Sequence, residues 1–492
     1  MKFLLDTNTV IPAEPTRLTD VEPTTVVVTK LIGLLAEGHH QYYIHPSSSR
    51  ELAGDRDHDR RTLRQTLLAK YPELPAAPFN AIRVDKVIGT ARPGTNDAVD
   101  NLLLESILAE AIDYLVTSDV GIHKKATRLG IVSRVVRPED AIAIIRGLFR
   151  TSPDPPPAVE LVHCHQLDDN DAIFDSFRSL YGALDFNAWL SRCKRDHRKA
   201  WVVRHPQSTA LAAICIVKDE SAREHGLQGS LLKICSFQVA PWARGFRFGE
   251  LLLKAVFQHV AHNAYDWSYV EVFPEVTDLI ALFESFGFDR INPVTSRGEI
   301  VLAKPFKFTQ DQYDSNVPLE FNRRFGPLAV KTADTDIFLV PIIPKYHDLL
   351  FPEEATQTQL FSGRHPFGNS ILKAYLCNAQ ARNISEGSVL AFYRSGGRRE
   401  FRCSGVVEQV MVSRDATQVA RLVGQRTVYS FSEIEAMCSR EVLALLFRQA
   451  RTMEPPVNLD DLIAAGGVAG IPQSIARVRK EGRQWLASKI SP

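Results

Sequence analysis

Along the first 150 residues, short apolar runs alternate with longer stretches in which apolar residues recur at helical spacing. The apolar runs predict strands at Lys2–Leu5, Tyr42–His45 and Tyr114–Thr117. The helical spacing predicts helices at Val26–Glu37, Arg60–Lys70 and Val99–Ile112. Strands that alternate with helices are typical of a parallel sheet covered on both faces, and such sheets bind ligands at the carboxyl ends of their strands.

The pattern changes after each of two breaks in composition. The first break is Thr151–Pro157, TSPDPPP, in which four of seven residues are proline, so we expect an extended linker there. The second break is less sharp and lies between Pro305 and Pro344. The sequence therefore predicts three domains, over residues 1–150, 158–304 and 340–490, and 492 residues is a usual length for three domains.

The middle segment is mixed α/β, and the last segment is rich in strands before it closes with helices. In the middle segment, strands are predicted at Ala200–Val203, Leu211–Val217 and Leu231–Val239, and a helix at Phe248–His262 follows the third. In the last segment, strands are predicted at Val389–Tyr393 and Glu400–Val412. We therefore expect an α/β multidomain protein.

Composition narrows the class of protein without identifying a partner. Hydrophobic residues make up 45% and charged residues 23% of the chain, so each domain can bury a normal core. We find no run of about 18 uncharged apolar residues, so we expect no membrane-spanning helix. Seven cysteines without a CxxC pair favour a reducing, cytoplasmic location over disulfides or a zinc site. The net charge of +1 means that any nucleic-acid surface must be local.

Acidic residues stand at the ends of predicted elements in the first domain. Asp6 follows the first strand, and Asp119 follows the strand that contains Tyr114–Thr117. Glu51 begins a helix-like segment, while Asp97 and Asp100 begin the long helix before the last of these strands. Carboxylates at strand ends suit a hard divalent cation such as Mg²⁺ or Mn²⁺, which can activate water for phosphodiester cleavage.

These segments resemble the PIN-domain ribonucleases, many of which are toxins of toxin–antitoxin pairs. The resemblance is carried by LLDTNTVIP, SRELAG, NDAVDNLLL and YLVTSDVGIHKKA, and it covers residues 1–150. It implies a PIN-like parallel α/β/α sheet, RNA as the substrate, and an antitoxin or other regulatory protein as a partner. The residues that match the family's catalytic acids are Asp6, Glu51, Asp100 and Asp119. The matching metal ligands are Asp6, Asp100 and Asp119, and the matching supporting residues are Asn8, Asp97 and Thr117.

Two alternatives stay open for this acidic set. The third acid of the family pattern is Asp100 by spacing, with Asp97 as an accessory. Each acid taken singly is also a normal helix N-cap or a solvated turn carboxylate. His123, Lys124 and Lys125, which follow Asp119, suit either phosphate contact or a solvated helix face.

The middle segment carries a glycine-bearing turn between its third strand and its helix. The turn runs from Val239 to Gly249, and glycines before a helix N-terminus can cradle a pyrophosphate. About forty residues further on, LIALFESFGF (Leu279–Phe288) predicts a second helix that ends at Gly287. Alone, these are moderate signals, because glycines also end strands for local reasons.

Together they resemble the GNAT acetyltransferases, which bind acetyl-coenzyme A at a loop of the form RGxGxG and end in a motif like LYExxGF. The resemblance covers residues 158–304 and implies a GNAT-like mixed α/β domain. The residues it assigns to the coenzyme are Val239, Arg244, Gly245, Phe246, Arg247, Phe248 and Gly249. Two positions depart from the family pattern: Arg247 replaces the middle glycine, and Phe283 replaces the tyrosine that protonates the leaving thiolate. Glu271, Glu275 and Tyr269 are the remaining candidates for proton transfer.

The last segment contains two strands around an arginine-rich turn, EGSVLAFYRSGGRREFRCSGVVEQVMV. It resembles the PUA-like small β-barrels of the ASCH and EVE kind, with helices, over residues 340–490, although Ser388 stands where the family often has aspartate. Domains of this kind commonly bind RNA or a modified base. The residues predicted to contact nucleic acid are Tyr393, Arg394, Arg398, Arg399 and Arg402. An arginine-rich hairpin is equally typical of a solvated face.

We therefore expect a metal-dependent ribonuclease with an acetyl-coenzyme-A-binding domain and a nucleic-acid-binding domain. The first alternative is a GNAT acetyltransferase that acts on RNA, aminoacyl-tRNA or protein, with the PIN-like domain as a targeting arm. The second alternative is a non-enzymatic RNA-binding regulator in which both enzyme folds are scaffolds.

Overall fold

The chain divides into two compact units, residues 1–150 and 151–492. The computed structural model describes residues 1–13, 23–38, 40–48, 71–149, 159–205, 208–220, 224–291, 294–352, 366–381, 383–395, 399–450, 452–453 and 455–490.

The first unit is built on a four-stranded, all-parallel sheet in the order β2-β1-β3-β4. Its strands are β1 (Lys2–Leu5), β2 (Gln41–Tyr43), β3 (Tyr114–Val116) and β4 (Val135–Val136). Its helices are α1 (Thr7–Ala13), α2 (Pro23–Glu37), α3 (Ile82–Ile88), α4 (Asn96–Leu108), α5 (Val120–Arg128) and α6 (Pro138–Leu148). Because side chains alternate along a strand, β1 and β3 bury apolar residues on both faces.

Helices cover both faces of this sheet. On one face, Leu4 and Leu115 join a buried cluster with Val84, Leu103 and Ile122 from α3, α4 and α5. On the other face, the rings of Phe3 and Tyr114 stack. Parallel strands direct their carboxyl ends to one edge, so the residues that follow β1 and β3 are brought together there.

The second unit begins with a seven-stranded mixed sheet in the order β10-β11-β9-β8-β7-β6-β5. Its strands are β5 (Glu160–His163), β6 (Lys199–Arg204), β7 (Leu211–Glu220), β8 (Leu231–Val239), β9 (Trp267–Val272), β10 (Asp289–Ile291) and β11 (Ile300–Pro305). Its helices are α7 (Asp175–Tyr181), α8 (Ala183–Arg195), α9 (Phe248–Asn263) and α10 (Thr277–Ser285). Helices α9 and α10 bury one face of the sheet, and α7 and α8 bury part of the other.

Strands β8 and β9 are parallel neighbours over only part of their length. Their paired residues run from Leu231 opposite Trp267 to Ile234 opposite Val270, and the rest of β8 has no partner on β9. All other neighbours in this sheet are antiparallel. The sheet therefore opens between β8 and β9 beyond Ile234, on the side from which β8 runs toward α9.

The remainder of the second unit contains another seven-stranded sheet, in the order β13-β16-β15-β14-β12-β18 with β17 paired to β15. Its strands are β12 (Ile337–Ile342), β13 (Leu372–Cys377), β14 (Val389–Arg394), β15 (Glu400–Ser413), β16 (Val442–Gln449), β17 (Val457–Asn458) and β18 (Ala476–Arg477). Its helices, with the two that precede it, are α11 (Gln310–Ser315), α12 (Pro318–Phe325), α13 (Pro344–Leu350), α14 (Pro366–Asn369), α15 (Ala416–Val423), α16 (Phe431–Met437), α17 (Leu459–Ala464) and α18 (Lys480–Ile490). Buried clusters lie on both faces of the sheet.

A buried lysine joins the middle sheet to α12. Lys304 on β11 is fully buried, and its Nζ donates to the carbonyl oxygens of Arg323 at 3.0 Å and Arg324 at 2.7 Å, in the last turn of α12. Burial holds the pKa of Lys304 well below its usual value. Gly287 lies at the same contact with a φ of +81°, and a Cβ there would come within 1.9 Å of the Arg323 carbonyl oxygen.

Most predicted elements among the described residues are present, with ends that differ by one to a few residues from the prediction. The helix predicted at Val99–Ile112 spans Asn96–Leu108, because the Thr95 side chain caps its first turn and Glu110 has a positive φ. The helix predicted at Leu279–Phe288 spans Thr277–Ser285. The predicted helix Arg60–Lys70 lies outside the described residues. The α/β multidomain class is confirmed, whereas a closed C-terminal barrel stays a prediction, because β13 and β18 end the observed strand order.

Within the described residues, helices that combine the length and the apolar character needed to cross a lipid bilayer were not found. The seven cysteines are all free thiols.

Candidate functional site

In the first unit, Asp6 lies at the carboxyl end of β1, as predicted. Its side chain is 5% exposed, and it accepts hydrogen bonds from the Thr117 hydroxyl at 2.7 Å and from the Thr7 backbone N–H at 2.7 Å. Burial, with a smaller effect of the nearby Asp100 charge, raises the pKa of Asp6 to about 6. A buried carboxylate whose charge is so poorly compensated is a marker of a functional site.

Thr117 and Asn8 support Asp6, as the resemblance implies. Asn8 donates from its amide nitrogen to the Thr117 hydroxyl at 3.1 Å, and its amide oxygen accepts from the Ser118 backbone N–H at 3.3 Å. Thr117 is fully buried after β3. The two residues therefore hold the Asp6 carboxylate in one orientation.

Asp97 and Asp100 both contact one lysine. Lys125 on α5 places Nζ 2.7 Å from Asp97 Oδ1 and 3.0 Å from Asp100 Oδ2. Burial raises the pKa of Asp100, while the Lys125 ammonium opposes this effect. Lys125 was predicted to contact phosphates or solvent, and here it neutralises the acidic set instead.

Asp119 caps α5, since its Oδ1 accepts from the Ile122 backbone N–H at 3.0 Å. Its charge still raises the pKa of Asp100, so Asp119 and Asp6 both lie near Asp100. Glu51 lies outside the described residues. Within the residues that the structure describes, no group of three or more histidine, cysteine, aspartate or glutamate side chains is placed to hold a metal ion.

In the second unit, the predicted coenzyme loop lies between β8 and α9. Gly245 has a φ of +83°, and Arg247 adopts a left-handed conformation with a φ of +60° at the N-cap of α9. Phe246 lies between these two residues, and Arg244 and Phe248 flank them. The backbone therefore forms a compact turn at the positive end of a sixteen-residue helix, which is favourable for an anion.

Arg247 does not extend toward solvent. Its Nη1 donates to Glu250 Oε1 at 2.9 Å, and Glu250 is 3% exposed. Burial alone would raise the pKa of Glu250, but the charges of Arg247 and Arg426 hold it below its usual value. The Arg247 side chain is therefore paired with a residue of its own helix, three positions further on.

Glu250 also joins the loop to the strand-rich end of the chain. Its Oε2 accepts from the Ser370 hydroxyl at 2.8 Å and from the Ile371 backbone N–H at 2.7 Å. Asn369 donates from its amide nitrogen to the Phe246 carbonyl oxygen at 2.8 Å. The segment Asn369–Ile371, which precedes β13, thus holds the predicted coenzyme loop in place through these hydrogen bonds.

The three candidates for proton transfer have different surroundings. Phe283 is not one of them: it stands where the family has a tyrosine, and it is fully buried between the rings of Phe237 and Phe288, so this position belongs to the core. Tyr269 is buried, and burial raises its pKa above its usual value. Glu275 is exposed in a turn. Only Glu271 faces a cavity.

That cavity has a volume of about 560 Å³ and lies between α7, α8 and the opened strands. One wall is aromatic and consists of Phe177, Tyr181, Phe186 and Trp189. The opposite wall consists of residues of β7, β8 and β9, among them Lys218, Lys233, Cys235, Ser236 and Glu271. Its volume is in the usual range for small-molecule sites.

Glu271 holds two partners at the point where β8 and β9 separate. Its Oε2 accepts from Lys233 Nζ at 2.7 Å, and its Oε1 lies 2.8 Å from His225 Nε2. Burial alone would raise the pKa of Glu271, but the hydrogen bonds and charges of Lys233 and His225 hold it below its usual value. Glu271 is therefore ionised at neutral pH.

Cys235 is the extra residue of a β-bulge in β8. The pairing passes from Ile216 opposite Ser236 to Val217 opposite Ile234, so Cys235 has no partner on β7. Burial raises the pKa of its thiol to about 11. A bulge frees backbone groups from the ladder and re-aims them, often beside active sites.

In the last sheet, the predicted nucleic-acid contacts are dispersed. Tyr393 is buried, and its hydroxyl donates to the Pro472 carbonyl oxygen at 2.6 Å. Arg394 forms two hydrogen bonds with Asp348, at 3.2 and 3.0 Å. Arg399 lies 3.8 Å from Asp460, Arg402 is half-buried on β15, and Arg398 lies outside the described residues. Tyr393 and Arg399 line a second cavity of about 670 Å³, to which Pro472–Ile475 also contribute.

Sequence reasoning missed His225, Lys233, Cys235 and Ser236. The pair His225-Gly226 is a turn signal, but nothing in its spacing connects it to Glu271, which lies 46 residues further on. The bulge at Cys235 depends on the register between two strands and has no signature in the apolar pattern of Leu231–Val239.

Comparison with known proteins assigns a family to the middle of the chain. Residues 167–288 match the family model described as Acetyltransferase (GNAT) family, which confirms the predicted GNAT domain. No curated protein matches the sequence.

Parts of the chain are also similar to solved structures. One is an ASCH protein from Zymomonas mobilis, with 15% identity over 31% of this chain and 94% of that chain, and a TM-score of 0.24. Another is a GNAT family acetyltransferase from Elizabethkingia anophelis with acetyl-CoA bound, with 12% identity over 30% of this chain and 97% of that chain, and a TM-score of 0.22. The PIN-like and PUA-like assignments stay predictions.

Proposed function

We propose that the GNAT domain of this chain transfers an acetyl group from acetyl-coenzyme A to a primary amine. The observation that carries the proposal is the opening between β8 and β9 beyond Ile234, which lies between the glycine loop and the cavity of about 560 Å³. A thioester that enters along this opening reaches the cavity, and an amine bound in the cavity can attack it. The family match over residues 167–288 supports this reading.

The glycine loop is suited to the pyrophosphate of the coenzyme. Gly245 and Arg247 both have positive φ values, and the Arg247 side chain is withdrawn to Glu250. The first backbone N–H groups of α9 and the helix dipole would both attract an anion at this turn.

The β-bulge at Cys235 is suited to the reacting carbonyl. Acyl transfer builds negative charge on the carbonyl oxygen, and a fixed backbone N–H stabilises that charge without reorganisation. Cys235 lies outside the β7 ladder and lines the cavity. Phe283, in contrast, has no proton for the leaving thiolate, so another group must supply one.

Coenzyme binding tests this proposal directly. We expect acetyl-coenzyme A to bind the native chain in calorimetric titration. The variant Gly245→Ala should bind about tenfold more weakly, because a side chain at a φ of +83° strains the turn by about 1 kcal/mol or more. Gly182→Ala is the matched control, since Gly182 has a φ of +85° and open space around its Cβ position. Absence of binding by the native chain would refute the proposal.

As a second candidate, we propose that the first unit cleaves RNA with the help of Mg²⁺ or Mn²⁺. The observations that favour it are the position of Asp6 at the carboxyl end of β1 and the effects of the Asp100 charge on the pKa of Asp6 and of the Asp119 charge on the pKa of Asp100. Such an ion would supply an activated water for phosphodiester hydrolysis. Among the described side chains no group of three acids is placed to hold such an ion, and Lys125 already neutralises Asp97 and Asp100.

A metal-binding measurement tests whether these acids bind an ion once Lys125 no longer neutralises them. We expect Mn²⁺ to bind Lys125→Met more tightly than the native chain in calorimetric titration, because the competing ammonium is gone. Asp6→Asn and Asp119→Asn should abolish both Mn²⁺ binding and Mn²⁺-dependent cleavage of a mixed RNA pool. Cleavage that survives both substitutions would rule this candidate out.

The remaining assignments are proposals that rest on the sequence. An antitoxin or other regulatory partner, a cytoplasmic location, and RNA contact by Tyr393, Arg394, Arg398, Arg399 and Arg402 rest on the sequence alone. Buried Tyr393 and paired Arg394 have other roles in the described structure, which leaves Arg399 and Arg402 as the better-placed contacts.

A further inference from the structure

His225 occupies an unusual turn beside the cavity. It and Gly226 are the central residues of a tight turn closed by a hydrogen bond from the Leu227 N–H to the Glu224 carbonyl oxygen at 2.8 Å. Both central residues have positive φ, +50° for His225 and +80° for Gly226. A side chain in that conformation is strained, and such strain is concentrated at functional sites.

Glu271 fixes the orientation of the imidazole. It lies 2.8 Å from Nε2 of His225, and because it is ionised it accepts the proton of that nitrogen. The neutral ring then carries its lone pair on Nδ1. The carboxylate also stabilises the imidazolium that forms when Nδ1 takes up a proton. An imidazole held by a carboxylate in this way is a suitable general base.

We infer that His225 is the general base of the acetyl transfer, an inference that rests on the proposed function. Nδ1 takes one proton from the ammonium group of the acceptor. The free amine attacks the thioester carbonyl, the new C–N bond forms, and the C–S bond breaks. As the C–S bond breaks, the acylated nitrogen releases its second proton to solvent water and the imidazolium returns its proton to the coenzyme thiolate, so the products are an amide, a free thiol and one proton in solution. His225 thereby replaces the acid that Phe283 lacks.

A buried hydroxyl in the same cavity independently indicates a ligand. Ser236 is 5% exposed, and its Oγ has no hydrogen-bond partner among the described residues. A buried hydroxyl without a partner costs free energy, and a polar group of a bound molecule removes that cost. The cavity is also lined by the aromatic rings of Tyr181 and Trp189. The acceptor class is therefore a small primary amine with a hydrogen-bonding group and an apolar or aromatic body.

Two kinds of acceptor distinguish a general base from a structural residue. The probes are hydroxylamine, which is largely uncharged at neutral pH, and a panel of protonated amines made of the twenty amino acids, spermidine and tryptamine. Thiol release from acetyl-coenzyme A is measured for the native chain and for His225→Gln. We expect His225→Gln to lower kcat about a hundredfold with the best panel amine, because general-base catalysis is lost. With hydroxylamine the loss should be at most about tenfold, because no ammonium proton has to be removed and only the return of a proton to the thiolate is lost.

Two further variants serve as controls. His262→Gln removes an exposed imidazole from the last turn of α9 and should leave both rates at native values. Ser236→Ala should raise KM for the panel amine at unchanged kcat, because Ser236 binds the acceptor without moving a proton.

The outcomes separate the inference from the proposed function. If the native chain neither binds acetyl-coenzyme A nor acetylates any probe, both fail together. The inference alone is overturned if hydroxylamine is acetylated but no panel amine is. It is also overturned if His225→Gln slows both acceptors equally, or if it leaves the panel amine rate unchanged.

Discussion

Asp6 shows how burial sets the behaviour of a single carboxyl group. Its partners are neutral hydrogen-bond donors, Thr117 and Thr7, and the nearest charge that shifts its pKa is another acid, Asp100. Its pKa of about 6 lies above the value of about 4 that is usual for an unfolded aspartate. Between these two values the folded chain binds more protons than the unfolded chain, so stability falls as the pH rises.

We therefore expect Asp6→Asn to stabilise the first unit at pH 7. The gain should be roughly 1–3 kcal/mol, because each unit of pKa difference corresponds to about 1.4 kcal/mol and the amide replaces the hydrogen bonds imperfectly. At about pH 2.5, which lies below both pKa values, the carboxyl is protonated in both states, so the gain should disappear. Calorimetric unfolding of the full chain at both pH values measures it. A gain that does not change with pH would show that the charge of Asp6 is not the cause.

For single residues, the sequence predicted positions along the chain but not side-chain contacts. The position of Asp6 after β1 follows from the apolar pattern and is observed. The ion pairs of Lys125 depend on the side-chain directions of α4 and α5, which no spacing rule provides. Phe283 was predicted from its identity alone to be unable to donate a proton, and its burial gives it a core role instead.

At the scale of elements, the contact between β11 and α12 depends on one glycine. At Gly287 a Cβ would come within 1.9 Å of the Arg323 carbonyl oxygen and 2.9 Å of Lys304 Nζ. The backbone of α12 cannot retreat from that contact without breaking the hydrogen bonds of Lys304 to Arg323 and Arg324. Glycine is therefore required at position 287 by the packing against α12 as well as by the positive φ.

We expect Gly287→Ala to lower the free energy of unfolding by about 3 kcal/mol or more, because it adds a steric clash to the strain of a positive φ. Gly298→Ala is the matched control, since Gly298 has a φ of +84° and nothing within 4 Å of its Cβ position. That control should lose only about 1 kcal/mol. Urea unfolding followed by tryptophan fluorescence compares the two, and equal losses would contradict the packing argument.

Elements with strong apolar patterns were predictable, and their partners were not. Strand β8 spans Leu231–Val239 as predicted, and β14 and β15 each extend one residue beyond the prediction. The parallel pairing of β12 with β14 was not predicted, because the paired residues are 52 positions apart in the sequence (Ile337 pairs with Val389) and leave no local signal. The same limit hid the bulge at Cys235, which is a property of two strands together.

At the scale of the whole second unit, the coenzyme loop and the last sheet are one cooperative structure. Glu250 accepts from Ser370 and Ile371, and Asn369 donates to Phe246 in the loop itself. Arg426 adds a charge at the same place, and burial lowers its pKa to about 10. A change in the segment before β13 should therefore alter coenzyme binding at a distance.

We expect Ser370→Ala to weaken acetyl-coenzyme A binding severalfold and to lower the free energy of unfolding by about 1–3 kcal/mol, since Glu250 loses a hydrogen bond to its charge. Ser404→Ala is the matched control, because Ser404 is equally buried and its hydroxyl has no hydrogen-bond partner among the described residues. Calorimetric titration measures both variants. If Ser370→Ala binds the coenzyme like the control, the last sheet does not support the loop.

The bond between Glu250 and Ser370 also sets an order of events during synthesis. The two residues are 120 positions apart, so a ribosome that has just added Glu250 must add 120 more before the partner exists. At about 5–20 residues per second, this takes roughly 6–24 seconds. Throughout that interval Glu250 has its ion-pair partner Arg247 but lacks its hydrogen-bond donors Ser370 and Ile371. The contacts that hold the loop before α9 are therefore complete only after translation has passed well beyond that loop.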